Sequence, residues 1–113
     1  MTHCQTPARL VVLISGSGSN LQAIIDAVAA GDIPAQICAV ISNKADAFGL
    51  ERAKNAGIDA KVLDHKAFAS REDYDAALAE LIGSFSPDCV VLAGFMRILT
   101  PSLVQKFKGK MLN

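Results

Sequence analysis

The residues best suited to chemistry are Gly16-Ser17-Gly18-Ser19-Asn20, which separate an apolar run from a helical pattern. Glycines let the backbone turn tightly and approach a ligand closely, and free amides at the start of a helix attract anions. Ser19 and Asn20 add side-chain donors, so phosphate is the natural ligand. The segment lacks the Lys of a P-loop and the third Gly of the dinucleotide fingerprint. A plain strand-to-helix turn with serine caps is the alternative interpretation.

A second candidate segment is Leu92–Leu99, which follows a later apolar run. Gly94 again permits close approach of the backbone, and several apolar side chains stand where a loop is usually polar. They predict either a slot for a flat, mostly apolar ligand or packing beneath the next helix as core. Arg97 either holds a carboxylate or is a solvated surface residue. The apolar residues concerned are Phe95, Met96, Ile98 and Leu99.

Both segments follow stretches with the composition of buried strands. Continuous β-branched and aliphatic runs are typical of strands covered on both faces of a parallel sheet. The predicted strands are Arg9–Ser15, Gln36–Ser42, Ala60–Leu63 and Cys89–Ala93, with a fifth starting at Lys110–Asn113. Ligands of open α/β sheets bind beyond the carboxyl ends of the strands. We therefore expect both candidate segments, and Ser42 and Asn43, at one edge of the sheet.

Helical patterns alternate with these strands. The first follows the Gly-rich segment, a second runs from an Asp46 cap through Lys54, Ser70 caps a third, and Thr100-Pro101 start a fourth. Strands that alternate with helices form a parallel sheet wound by right-handed crossovers. The sequence thus predicts an α/β fold, a Rossmann-like parallel sheet of four to five strands with helices on both faces.

The composition favours one soluble domain. The chain is 51% hydrophobic and 19% charged, with 11 Lys and Arg residues against 11 Asp and Glu. It has no basic cluster, no apolar run of membrane-spanning length and no signal-peptide core. The three cysteines lie far apart, and no metal-ligand spacing occurs. We expect a single cytoplasmic nucleotide-binding domain over residues 1–113, with 1–8 as a flexible arm, and no nucleic-acid partner, membrane or metal.

Three long segments resemble phosphoribosylglycinamide formyltransferases, which are folate-dependent enzymes of purine biosynthesis. The segments are Val12–Gln22, Ser42–Leu50 and Val90–Leu99, and the resemblance runs from Leu10 to Asn113. It implies the N-terminal half of the formyltransferase fold. It also implies transfer of a formyl group from 10-formyltetrahydrofolate, the co-substrate, to the amine of glycinamide ribonucleotide in IMP biosynthesis.

The resemblance also implies roles for individual positions. Gly18, Ser19 and Asn20 correspond to a loop whose backbone amides bind the substrate phosphate, in agreement with the pattern itself. The positions near the ribose and the glycinamide are Ala93 and Gly94. The folate-binding positions are Met96, Arg97, Ile98 and Leu99, with Val104 in the pocket wall and Arg71 near the glutamate tail. By residue type alone, Arg71 is equally well a surface residue of a first helical turn.

The catalytic trio of the resembled enzymes is an Asn, a His two residues later and an Asp well downstream. Asn113 corresponds to the Asn, whose amide would hydrogen-bond the developing oxyanion. The His and the Asp have no counterpart, so we expect a truncated part that lacks the C-terminal catalytic portion and does not turn over alone. The alternative is a non-catalytic phosphate- or nucleotide-binding module, or an interaction module that forms a homodimer or pairs with a complementing C-terminal half.

Overall fold

The computed structural model describes residues 8–97 and 99–112, so predictions for residues 1–7, Ile98 and Asn113 lie outside the described part. Strands and helices alternate along it. A single 3₁₀ turn, His65–Ala67, precedes the third helix. In chain order the other elements are β1 Ala8–Ile14, α1 Ser19–Ala29, β2 Ala35–Ser42, α2 Gly49–Asn55, β3 Asp59–Val62, α3 Arg71–Gly83, β4 Cys89–Leu92, α4 Pro101–Lys106 and β5 Met111–Leu112.

The described strands form one parallel sheet in the order β3-β2-β1-β4-β5. Successive side chains of a strand point to opposite faces. In β1, Val11 and Leu13 pack in a core cluster with α3 and α4, whereas Val12 and Ile14 pack in another with α1 and α2. All four are fully buried. This confirms the predicted α/β fold with helices on both faces of a parallel sheet.

Two predicted helix starts are confirmed by their caps. The Ser70 hydroxyl accepts a hydrogen bond from the amide of Asp73 at 3.0 Å. The Thr100 hydroxyl accepts one from the amide of Leu103 at 3.4 Å, and Pro101 is the first residue of α4. Such caps supply acceptors for amides that have no partner within the helix. The Thr100 cap thereby fixes the point where the loop after β4 ends.

The predicted Asp46 cap of the second helix is wrong. α2 begins three residues later, at Gly49, and no side chain caps it. The amide of Gly49 instead donates to the carbonyl of Gly16 at 3.1 Å. The carbonyl of a distant loop therefore takes the place of a local cap. Asp46 is left exposed in the loop between β2 and α2.

The helices of this fold are short and covered on one side. Within residues 8–97 and 99–112, none is both long and apolar enough to cross a lipid bilayer.

Candidate active site at the carboxyl edge of the sheet

The two candidate segments come together because their strands are neighbours. β1 pairs with β4 in parallel, with Leu13 opposite Leu92. The strand order reverses between these two strands, since β2 lies on the other side of β1 and β5 lies beyond β4. In open α/β sheets such a reversal opens a crevice at the carboxyl ends of the strands. The loop after β1, which we call the glycine loop (residues 16–20), thus lies beside the loop after β4 (residues 93–100).

The glycine loop is built by close backbone packing. Gly18 precedes α1 with a φ of 76°, a conformation that favours glycine. A Cβ atom added to Gly18 would lie 2.6 Å from the Cα atom of Gly49 in α2. A Cβ added to Gly49 would lie 2.5 Å from the Cδ1 atom of Ile14. The contact between the glycine loop and α2 therefore requires a glycine at position 18 and leaves little room for a side chain at position 49.

The carbonyl groups of the glycine loop are taken up by α2. The Gly16 carbonyl accepts from the amide of Gly49, and the Ser17 carbonyl accepts from Arg52 Nε at 2.7 Å. The Arg52 guanidinium also donates to the Gln22 side chain at 3.3 Å and lies 5.0 Å from the centre of the Phe48 ring. Because its carbonyls point into these contacts, the loop is held in one conformation.

The amides of the same loop remain available. Among the described residues, no hydrogen-bond acceptor is found for the backbone amides of Ser17, Gly18, Ser19 or Asn20. Ser19 and Asn20 are exposed and form the first turn of an eleven-residue helix. Free amides and the positive end of a helix dipole favour an anion at this position.

The loop after β4 is partly core and partly exposed. Phe95 and Leu99 are half-buried and pack against the core cluster beneath α3. Met96 is 77% exposed, and Val104 on the following helix is 45% exposed. The packing interpretation is thus confirmed for Phe95 and Leu99, whereas the slot for a flat apolar ligand stays a prediction.

Arg97 is not a freely solvated side chain. Its guanidinium carbon lies 4.4 Å from the centre of the buried Tyr74 ring, a cation–π contact. Its Nε atom is buried and has no hydrogen-bond partner within the described part of the chain. The Tyr74 hydroxyl donates to the carbonyl of Leu63 at 2.7 Å. Burial raises the pKa of Tyr74 to about 12, although the nearby Arg97 charge partly opposes the increase.

Three other site residues predicted from the sequence, Ala93, Gly94 and Arg71, differ in their burial. Ala93 is buried, and its amide donates to the carbonyl of Leu13 at 2.9 Å. Gly94 is exposed with a φ of 78°. Arg71 is an exposed first residue of α3, three positions before Tyr74. Asn113 and Ile98 lie outside the described residues, so their roles stay predictions.

Two buried polar residues at the site were missed by sequence reasoning. The Ser15 hydroxyl contacts both Asn43 and the backbone of Met96. The Asp75 carboxylate accepts from the amide of Thr100 at 2.6 Å. Asp75 had a detectable signal, because it shares the helical spacing of Leu78, Ala79 and Ile82, which form the buried stripe of α3. Ser15 had none beyond its position at the end of a strand.

The comparisons with known proteins define the class. A profile described as formyl transferase matches residues 8–113, so the chain belongs to the formyl transferase family. The phosphoribosylglycinamide formyltransferase of Escherichia coli is 59% identical over 104 residues, which are 92% of this chain and 49% of that protein. The human trifunctional purine biosynthetic protein adenosine-3 is 53% identical over 106 residues, 94% of this chain and 10% of that protein.

Solved structures agree with this family. Glycinamide ribonucleotide transformylase 1 from Symbiobacterium toebii superposes with a TM-score of 0.91 and 46% identity, over 96% of this chain and 51% of that one. The phosphoribosylglycinamide formyltransferase of Coxiella burnetii gives a TM-score of 0.90 and 48% identity, over 93% and 49% of the two chains. The chain thus spans about half the length of the single-function relatives it matches.

Proposed function

We propose that this chain supplies the nucleotide-phosphate loop and one wall of the folate site for formyl transfer. The reaction would move a formyl group from 10-formyltetrahydrofolate to the amine of glycinamide ribonucleotide in purine biosynthesis. A new carbon–nitrogen bond forms on the glycinamide amine, the bond from the formyl carbon to the folate nitrogen breaks, and a proton passes from the amine to that nitrogen. The products are formylglycinamide ribonucleotide and tetrahydrofolate.

The observation that carries the proposal is the set of free amides at residues 17–20. The carbonyls of Gly16 and Ser17 are already bonded to α2, so the loop needs no rearrangement to receive a phosphate. A preformed site binds more tightly than one that must be ordered by its ligand. The names of the relatives supply the substrate, because phosphate alone does not identify the rest of the molecule.

The folate wall is proposed on the other loop. Met96 and Val104 would contact the flat ring system, and backbone groups of residues 96–99 would meet its polar edge. Arg71, at the start of α3, would hold the carboxylate tail. The exposure of Met96 and Val104 supports this assignment, since isolated large apolar side chains of this kind are suited to an apolar ligand. Ala93 and Gly94, at the start of the loop after β4, would lie along the ribose and the glycinamide.

Turnover is proposed to require the other half of the fold. The single-function relatives are about twice as long as this chain, and the catalytic His and Asp implied by the resemblance have no counterpart among its residues. Asn113 would stabilise the oxyanion that forms when the amine attacks. We further propose that the half-length chain pairs with a complementing C-terminal half at β5, an edge strand in the described sheet whose Leu112 is exposed.

Calorimetric titration with glycinamide ribonucleotide tests the binding proposal. We expect saturable binding by the 113-residue chain and much weaker binding of the riboside that lacks the phosphate. Equal affinity for the two ligands would contradict a phosphate site. Adding a separately produced C-terminal half should give a one-to-one complex by light scattering and measurable formyl transfer. Transfer at a normal enzymatic rate by the chain alone would refute the need for a second half, and a homodimer would favour the alternative of self-association.

A further inference from the structure

Three segments of the proposed site meet at one buried hydroxyl. Ser15 follows the last residue of β1 and directly precedes Gly16 of the glycine loop, and it is 3% exposed. Its Oγ atom lies 2.6 Å from Oδ1 of Asn43, which follows β2. The same Oγ atom lies 2.8 Å from the amide nitrogen of Met96, in the loop after β4. Asn43 is buried as well.

The direction of these two hydrogen bonds is fixed by their donors. A backbone amide only donates, so the Ser15 oxygen accepts from Met96 and keeps its own proton for a second bond. That proton goes to the carbonyl oxygen of Asn43. Both the oxygen and the proton of the buried Ser15 hydroxyl therefore have a partner, as buried polar groups require.

Besides the Ala93 amide, which donates to the Leu13 carbonyl where the loop after β4 begins, this loop has three further polar attachments, of which the Met96 amide is the first. The second is the contact of Arg97 with the Tyr74 ring, and the third is the bond from the Thr100 amide to Asp75. The latter two join the loop to α3. Of these three, only the Ser15 contact joins the loop to the strand end that carries the glycine loop, so this hydroxyl fixes how far Met96 lies from the glycine loop.

We propose that Ser15 is a positioning residue that holds the backbone at Met96 in register with the glycine loop. The inference rests on the function proposed above, in which these two loops bind the folate and the phosphate. The hydroxyl touches neither substrate. It acts by placing the Met96 backbone, and losing it is expected to weaken folate binding about tenfold, the effect of one lost, partly buried hydrogen bond.

Hydrogen exchange of the Met96 amide, followed by NMR in the full 113-residue chain, tests the contact directly. We expect Ser15→Ala to exchange at Met96 about tenfold faster than wild type, with unchanged protection at Leu78 in the core of α3. Ser15→Thr keeps the hydroxyl and should restore protection. Ser84→Ala is the matched control, because that serine also makes a 2.6 Å hydroxyl bond, to the Leu81 carbonyl, far from the site.

The exchange rate of the Met96 amide in wild type tests the inference even if the variants do not fold. A Met96 amide that exchanges as fast as the exposed Gly94 amide would overturn the inference. Equal rates in wild type and Ser15→Ala would overturn it too, as would equal loss of protection at Leu78, because a general loosening is a structural effect and not a positioning one.

Ligand titrations of the same samples separate this inference from the proposed function. If glycinamide ribonucleotide perturbs residues 18–20 while tetrahydrofolate binds wild type and Ser15→Ala equally well, the function stands and the positioning role fails. If neither ligand perturbs the wild-type chain, the function fails. We expect glycinamide ribonucleotide to perturb both variants, and tetrahydrofolate to bind Ser15→Ala about tenfold more weakly and Ser15→Thr nearly as wild type.

Discussion

The glycine loop and the loop after β4 are neighbours, but they are held in place by different means. The glycine loop is fixed through its own backbone, by the contact of Gly18 with Gly49 and by carbonyls bonded to α2. Beyond Ala93, whose amide bonds to the Leu13 carbonyl, the loop after β4 is fixed by side chains from elsewhere, namely Ser15, Tyr74 and Asp75.

The difference corresponds to the ligand that each loop is proposed to receive. A phosphate is small and symmetrical, and a rigid set of amides is sufficient to bind it. A folate is large and flat, and needs an extended surface with few polar groups placed accurately. We therefore expect changes in the glycine loop to act through backbone strain, and changes around the other loop to act through lost side-chain partners.

The largest effect is expected from Gly18→Ala. The new methyl group would approach the Gly49 Cα atom to 2.6 Å in a backbone conformation that disfavours alanine. We expect the free energy of unfolding to fall by about 3 kcal/mol, from overpacking and conformational strain together, with loss of phosphate binding. Gly31→Ala is the matched control, since Gly31 has a φ of 80° but open space around it. Its cost should be about 1 kcal/mol in the same urea titration. Equal costs would mean that the contact with Gly49 is unimportant.

High pH should act on the second region through Tyr74. Its pKa is about 12 in the folded chain, against 10 in the unfolded chain, so between these pH values the unfolded state releases the proton first. Stability is therefore complete below pH 10 and falls as the pH rises toward 12, by about 2.5 kcal/mol in total. Tyr74 is the chain's one tyrosine, so absorbance of the phenolate reports it alone. Tyr74→Phe should reduce the loss of stability between pH 10 and pH 12. A phenolate midpoint near pH 10 in the folded protein would contradict the burial argument.

Asp75→Ala should detach the far end of the loop after β4. The Thr100 amide would remain buried without its acceptor, at a cost of about 2 kcal/mol in urea-induced unfolding. Asp75→Asn keeps a neutral acceptor and should lose roughly half as much. Glu80→Ala, an exposed carboxylate on the same helix, is the control and should change stability little. A loss of phosphate affinity equal to the loss of folate affinity would argue against two separately held loops.

The smallest effect is expected from Arg52→Ala, which removes the donor to the Ser17 carbonyl. We expect about 1 kcal/mol of destabilisation and a few-fold weaker binding of glycinamide ribonucleotide, with folate binding unchanged. Lys54→Ala, at an exposed position of α2, provides the comparison. An Arg52 variant that binds the nucleotide as well as wild type would show that Gly49 alone is sufficient to hold the loop.

The sequence predicts the first region better than the second, for a physical reason. Aliphatic runs determine buried strands, and a glycine cluster between a strand and a helix allows few conformations. For this reason β1, the glycine loop and α1 can be predicted from the local sequence. The same holds for the Ser70 and Thr100 caps. The Asp46 cap failed because the start of α2 depends on Gly16, more than thirty residues earlier, through a bond that no local pattern records.

The anchors of the second loop depend on distances across the fold. Ser15 and Met96 are 81 positions apart in the chain, and only the pairing of β1 with β4 brings them together. Asp75 was detectable as a carboxylate on a buried helical stripe, but its partner, the Thr100 amide, was not. Spacing alone likewise left Arg97 open between a ligand contact and a solvated residue, and its position above Tyr74 required the structure.

Mapping amide chemical shifts with each ligand separately tests the central claim that two differently held loops form one site. We expect glycinamide ribonucleotide to shift the amides of residues 17–20 first, and tetrahydrofolate to shift those around Met96 and Val104. Shifts from both ligands confined to the same loop, or shifts centred on neither loop, would contradict it.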